Sequence, residues 1–332
     1  MESRPIQLSV SKLIGLWAFS ECALGGILHA FRFPFSGLLL AGFAVTVICC
    51  IGFSVTKPAP VILYGTLVAM GVKLALSPHT PVTAYFAVGF QGAMGALFFS
   101  FQRHSRLAYI VFGAVALVES ALQKVLTMTI IFGNALWESL DVAAAQLVKS
   151  LGIEADIRYS LLILGTYSLL YLVWGGIVGY WAHGLPAKIG EVDRDAVLNY
   201  RTDDLESRRP ARRIKLLLWL CFGLILFTSV WVMRSSGHDI LMLILRPLVV
   251  ILVWWLLVNP LIRYLLTRFF SKQSSGFVHV IDTIRAEIPQ LRKLTSRVAA
   301  FVAEKYTGVR RLRYFIIILI LLACEEKSDM AG

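Results

Sequence analysis

The chain has few acidic residues and little charge of either sign. Of its 332 residues, 20 are Asp or Glu and 32 are Lys or Arg, so that charged side chains make up 16% of the total. Hydrophobic residues make up 58%, and the mean hydropathy is +0.73. This composition excludes an ordinary water-soluble domain and predicts a membrane protein.

The sequence also lacks the motifs of the common catalytic, metal and nucleotide sites. It contains no His-Glu-x-x-His, no Gly-x-Ser-x-Gly and no Walker loop. The six histidines are scattered, and the five cysteines lie in apolar runs without metal-ligand spacing. We therefore predict no catalytic residue, no metal and no cofactor, and we expect any ATP-driven step to need another chain.

The sequence contains several long apolar runs. Six of them lie in its first part, each near the roughly 20 residues that cross a bilayer as a helix: 12–31, 37–53, 58–77, 80–101, 107–132 and 159–183. Two more follow at 214–233 and 240–262. A last run, Tyr314 to Cys324, is too short to span and is predicted to be interfacial, re-entrant or packed against other helices.

The chain has a net charge of +12. The placement of its basic residues indicates membrane topology, and we predict no nucleic-acid partner. With the N-terminus in the cytoplasm, most of the basic residues fall on that side, in the segments 184–215 and 263–313 above all. The opposite side receives only Arg32, Lys149, Arg158 and Arg234. This distribution obeys the positive-inside rule and predicts a multi-pass protein of the cell inner membrane with a cytoplasmic N-terminus.

The predicted fold is an all-α polytopic membrane protein in three parts. Residues 1–183 form a six-span bundle, and residues 184–213 form a charged cytoplasmic linker. Residues 214–332 comprise a two-span hairpin followed by basic, cytoplasmic, amphipathic helices over 263–313. Apolar residues recur there at steps of three and four, and Pro289 and Gly308 are expected to bend or divide the helix.

The first span carries small residues at every fourth position. Ala18, Cys22 and Gly26 would lie on one nearly straight stripe of an α-helix, and such a stripe lets another helix approach closely. The stripe predicts either packing within the chain or docking of a partner membrane protein.

Polar residues inside the spans indicate a binding site, because buried charge in a bilayer is costly and is usually paired or functional. With the N-terminus inside, these groups come from five helices and lie at mid-depth or in the outer half. They predict a substrate pocket that opens to the outside. The candidate residues are His29, Arg32, Lys73, Gln91, Glu119, Gln123, Trp137 and Tyr167. An internal pair between Lys73 and Glu119 is the simpler alternative.

The outside segment after the fifth span is predicted to cover this pocket. From Ala135 to Leu151, apolar residues recur on one helical face, which is typical of an interfacial helix. Trp137 lies on this candidate lid. A surface helix without a gating role is the alternative.

Residues 1–183 resemble the substrate-binding S component of energy-coupling factor transporters. The resemblance rests on six spans, an internal N-terminus, the stripe Ala18, Cys22 and Gly26, a short Pro/Gly loop after the first span, and an outward polar pocket. It implies binding of a vitamin-like micronutrient near the outer face, with the stripe docking against a T component. It also implies ATPase subunits on other chains.

The remainder is similar, more faintly, to a T component, with membrane helices followed by basic cytoplasmic helices. In that family, two Ala-Arg-Gly-like motifs seat in the paired ATPases. The nearest segments here surround Arg292 and Arg297, and neither matches.

Micronutrient uptake is thus the predicted function, with membrane lipid as a further partner. Two alternatives stay open. One is a membrane scaffold or anchor that docks through the basic 263–313 region, and the other is a lipid-modifying membrane enzyme using Glu119 and His29.

Overall fold

The computed structural model describes residues 8–24, 36–77, 80–102, 105–150, 152, 157–185, 197, 245 and 247–324. Every element in these ranges is helical. The helices are α1 Val10–Phe19, α2 Ser36–Ser54, α3 Pro58–Leu76, α4 Val82–Phe101, α5 Arg106–Phe132, α6 Asn134–Ser150, α7 Tyr159–His183, α8 Asn259–Ser271, α9 Ser275–Lys305 and α10 Gly308–Cys324. Two π-helical turns join this order, Ser20–Leu24 directly after α1 and Trp254–Val258 directly before α8.

Among the described residues, five helical stretches are long and apolar enough to cross a bilayer, which confirms an all-α membrane protein. They are α3, α4, α5, α7 and Pro247–Ser271. The apolar segment Leu38–Ser54 is shorter. Four of the six predicted N-terminal spans therefore match within a few residues, and the second is shorter than a full span. The first is described only as far as Leu24, and the predicted span 214–233 and linker 184–213 lie almost wholly outside the described residues.

The chain divides into two compact units. Unit one comprises Met1–Ala121, Ser168–Asp203 and Ile262–Gly332, and unit two comprises Leu122–Tyr167 and Asp204–Leu261. The C-terminal helices α9 and α10 thus pack with the N-terminal helices. The predicted division into 1–183, 184–213 and 214–332 follows the order of the chain, whereas the contacts that define these units join distant segments.

The core of unit one lies between α1, α2, α3 and α4. Leu13, Leu16, Trp17 and Phe19 of α1 are fully buried. Gly65 of α3 faces Ile14 and Trp17, and a Cβ atom there would lie 3.2 Å from the Ile14 side chain. Close packing of this kind is a main source of helix association when lipid surrounds the bundle.

A glycine contact brings α5 and α7 together within unit one. Gly113 of α5 lies directly against the backbone of Gly175 in α7, and Gly179 lies against the backbone of Tyr109. A Cβ atom at Gly113, Gly175 or Gly179 would overlap with backbone atoms of the other helix. Backbone atoms cannot rotate away as a side chain can, so only glycine permits this approach.

Helix α9 packs along α3, a contact that the sequence did not predict. The ring of Phe277 contacts that of Tyr64 at a centroid distance of 6.0 Å, and Ile281 lies against Gly71. Tyr64 and Gly71 are seven residues apart, or about 10 Å along α3. Helix α9 also continues through Pro289 and ends at Lys305. Helix α10 begins at Gly308, whose φ is 56°.

Helix α10 packs against other helices, which is one of the three predicted alternatives for Tyr314–Cys324. Phe315, Leu319, Ile320 and Leu321 are buried, and α10 contacts α1 and α9. Its last residue is joined to the start of the chain's first helix, because the Ser9 N–H donates to the Cys324 carbonyl at 3.0 Å.

In unit two, α6 is hydrogen-bonded to both helices that flank it in sequence. The Trp137 indole N–H donates to the Thr129 hydroxyl at 3.0 Å. The Asp141 carboxylate accepts from the Ser160 backbone N–H at 2.6 Å and from the Ser160 hydroxyl at 2.9 Å. Ser160 is the second residue of α7, where a backbone N–H has no partner within its own helix and a negative charge is favourable.

We expect Asp141→Ala to release α6 from α7, because the buried Ser160 N–H and hydroxyl lose their acceptor. Loss of such an acceptor costs about 1–3 kcal/mol, so amide exchange in α6 should become about tenfold faster or more. Hydrogen–deuterium exchange of α6 measures this. Glu138→Ala is the matched control, since Glu138 is an exposed carboxylate on the same helix. Equal exchange in the two variants would show that the Asp141 contact does not hold the helix.

Candidate ligand-binding site

A buried ion pair lies between the end of the first helical segment and α3. The Lys73 ammonium donates to the Glu21 carboxylate with an Nζ to Oε2 distance of 2.8 Å. The two side chains are 7% and 17% exposed. The predicted pair of Lys73 with Glu119 is therefore wrong, because Lys73 pairs with Glu21 and neither carboxylate oxygen of Glu119 has a hydrogen-bond partner among the described residues.

Glu21 reaches Lys73 from a π-helical turn. Regular α-helix ends at Phe19, and Ser20–Leu24 forms the wider turn with i→i+5 hydrogen bonds. Such turns are rare and occur frequently at functional sites. The wider turn begins between Ala18 and Cys22 of the predicted stripe, and Gly26 lies outside the described residues.

The pair lies one turn from the connection between α3 and α4. Lys73 is three residues from the end of α3. The contacts between α3 and α4 place Tyr85 of α4 at the same level as Lys73. Gly89 packs on Met70 and Gly92 packs on Thr66. In this antiparallel pair of helices, the numbers of two residues at the same level therefore add up to about 158, as those of Lys73 and Tyr85 do. The site is therefore close to one end of the bundle, within about 5 Å of the end of α3.

Tyr85 adds an unpaired hydrogen-bonding group to this level. Its side chain is 6% exposed, and its hydroxyl is buried without a hydrogen-bond partner among the described residues. The Cys22 thiol and the Arg263 guanidinium lie in its neighbourhood. Cys22 in turn lies near Lys73 and Glu21. Four elements thus contribute to one polar cluster, defined here as Glu21, Cys22, Lys73, Tyr85 and Arg263.

Two more unpaired polar atoms lie deeper in the same unit. Gln91 is 4% exposed, and its Oε1 atom has no hydrogen-bond partner in the described part of the chain. It follows Tyr85 by six residues, or about 9 Å along α4. The Trp17 indole N–H is buried and likewise unpaired there. Buried polar atoms are nearly always hydrogen-bonded in folded proteins, so each orphan is a candidate contact for water or a ligand.

The predicted pocket residues are divided between the two compact units. Lys73, Gln91 and Glu119 belong to unit one, and both carboxylate oxygens of Glu119 are buried without a hydrogen-bond partner in the described structure. Gln123, Trp137 and Tyr167 belong to unit two, where all three are half-buried. Trp137 already donates to Thr129, which is a structural role. His29 and Arg32 lie outside the described residues.

The predicted docking residues have mixed environments. Ala18 is fully buried within the chain, in agreement with the predicted alternative of intramolecular packing. Cys22 is half-buried, and Gly26 lies outside the described residues. On α9, Arg292 is exposed and Arg297 is half-buried. The docking of partners through these positions stays a prediction.

Among the described residues, no group of three or more His, Cys, Asp or Glu side chains could hold a metal ion. Comparison with known proteins adds no family to this description. No protein-family model, curated protein or solved structure matches the chain. Functional interpretation therefore rests on the polar cluster and its surroundings.

Proposed function

We propose that the chain is the substrate-binding membrane component of an energy-coupling factor type transporter that takes up a vitamin-like micronutrient. The observation that supports this most is the buried pair of Glu21 and Lys73 close to unpaired Tyr85 and Gln91. Ionisable residues within membrane-spanning segments are costly and mark ligand or ion pathways more often than elsewhere. A few polar groups in an otherwise apolar surrounding are the usual composition of a small-molecule site.

The position of the cluster agrees with a site that exchanges ligand with one aqueous side. Lys73 and Tyr85 lie next to the α3–α4 connection, and with a cytoplasmic N-terminus this end of the bundle faces outward. The same topology places Arg263 of the cluster and Ile281, which lies against Gly71, in the outer half of the bundle, so the cytoplasmic segment would begin further along α9. Helix α9 supports the coupling part of the proposal, because one face packs on α3 while Arg292 stays exposed for a cytoplasmic or T-component partner. The apolar side chains exposed on α5, α7 and α8 would face membrane lipid.

A binding experiment on the full chain in lipid nanodiscs tests the proposal. We expect one member of a panel of water-soluble vitamins to raise the unfolding temperature without being chemically changed. Turnover of a compound would favour the membrane enzyme, and failure of every compound to bind would favour the scaffold. Either result would contradict the proposal.

Tyr85→Phe and Gln91→Met separate a ligand contact from a structural contact. Removal of a buried polar atom that has no partner should leave the free energy of unfolding unchanged or slightly higher. The same change should weaken binding of the stabilising vitamin by about five- to tenfold. Tyr64→Phe is the control, since the Tyr64 side chain on α3 is 41% exposed. Equal affinity in Tyr85→Phe, Gln91→Met and the unmodified protein would place the ligand elsewhere.

A further inference from the structure

We infer that the polar cluster takes a small zwitterion, whose carboxylate binds Lys73 and whose ammonium group binds Glu21. This inference rests on the proposed function and names the substrate class of the same site. Glu21 was not among the residues predicted to bind substrate, and Tyr85 was not either.

Charge balance favours a zwitterion over a ligand with a single charge. The Glu21–Lys73 pair carries no net charge, and both side chains are shielded from solvent. A ligand with a single charge would satisfy one partner and leave the other charge buried without compensation, which is strongly unfavourable. A zwitterion replaces one ion pair by two, so that every charge in the site keeps a partner.

The position of the neighbouring groups gives the ligand a direction. Tyr85 is level with Lys73, and its hydroxyl is unpaired, so it can donate to a carboxylate that Lys73 holds. Arg263 lies near Tyr85 and is itself exposed, which adds positive charge at this end of the site. Glu21 is the one carboxylate in the cluster. The anionic pole of the ligand therefore points to Lys73 and Tyr85, and its cationic pole points to Glu21.

The π-helical turn explains how a closed contact of 2.8 Å can admit a ligand. Lys73 lies on a regular helix that packs against α4 on one side and against α9 near Gly71 on another. Glu21 lies on the π-helical turn Ser20–Leu24. We expect this turn to be able to change to the i→i+4 bonds of an ordinary α-helix. A change of register by one residue turns the following residues by about 100° around the helix axis. Glu21 is thus the movable partner and Lys73 the fixed one.

The test uses charge-matched probes on the full chain in lipid nanodiscs. Free α-amino acids, β-alanine and γ-aminobutyrate provide the zwitterions. Their N-acetyl derivatives keep only the negative charge, and their methyl esters keep only the positive charge. We expect at least one zwitterion to bind, and its two derivatives to bind about a hundredfold more weakly, as measured by calorimetry.

Two variants should change the selectivity in opposite directions. Glu21→Gln leaves Lys73 uncompensated, so the N-acetyl probe should become the best ligand. Lys73→Gln leaves Glu21 uncompensated, so the methyl ester should become the best ligand. Loss of folding would weaken all three probes together and cannot reverse their order. The double variant Glu21→Gln/Lys73→Gln has no buried charge to lose and should fold while binding no probe with the original preference for zwitterions.

The outcomes separate this inference from the proposed function. Binding of a vitamin without binding of any zwitterion would overturn the inference and leave uptake in place. An unchanged order of the three probes in Glu21→Gln, or in the double variant if neither single variant folds, would do the same. Failure of every vitamin and every zwitterion to bind would overturn both.

Discussion

Lys73→Met is expected to destabilise the protein by about 3–5 kcal/mol, and removal of Glu21 in addition should recover most of that loss. The single change leaves the Glu21 carboxylate buried without its counter-ion, which is far more costly than the absence of the pair. In Glu21→Leu/Lys73→Met no charge stays buried, and apolar side chains of similar size fill the space. Chemical denaturation in detergent micelles measures the three free energies of unfolding.

Lys57→Met is the control for this experiment, because Lys57 precedes the same helix and is exposed. Its loss should change stability by no more than about 0.5 kcal/mol. If the double variant is as unstable as Lys73→Met alone, the two residues are not coupled, and the loss of the ion pair does not explain the effect of Lys73→Met.

The second large effect is expected at the contact of α5 with α7. Gly175→Val should prevent unit one from folding, because the new side chain would overlap with the backbone of Gly113 and the two helices would have to move apart. Gly113→Ala and Gly175→Ala should lower the unfolding temperature strongly for the same reason. Overpacking of a tight contact costs typically 1–3 kcal/mol even where side chains can adjust.

Gly165→Ala on the same helix should have the opposite effect. No atom lies within 4 Å of a Cβ atom built there, so the change adds helix propensity without a clash. The expected gain is up to about 1 kcal/mol. Thermal unfolding of the Gly165→Ala and Gly175→Ala proteins provides the comparison, and equal shifts in the two would contradict a specific glycine contact.

Hydropathy predicted the spans well because length and apolar composition alone define a bilayer-crossing helix. The predicted run 107–132 and the observed α5 differ by one residue at one end, and 159–183 agrees at both. Contacts between distant segments were not predictable in this way. The basic face of α9 suggested solvent, yet its apolar face, with Phe277 and Ile284, packs within unit one.

The candidate site was predicted in part. Lys73 and Gln91 were identified because polar residues in apolar runs are unusual, and both are buried. Glu21 was visible by the same criterion, since it interrupts the first run, but its partner could not be assigned. Only Glu119 was named from the sequence as a candidate partner for Lys73, because the choice between acidic residues depends on which helices are adjacent. Tyr85 gave no signal at all, because an aromatic residue near a helix end is typical of any span.

The bond between Ser9 and Cys324 has a consequence for biosynthesis. Helix α10 leaves the ribosome roughly 300 residues after α1, which at 5–20 residues per second is a delay of about 15–60 seconds. During that interval, the side of α1 that α10 will cover has no protein neighbour from this chain. The nascent protein therefore depends on lipid or on the insertion machinery to shield that surface, and a stop codon anywhere before α10 would leave it exposed for good.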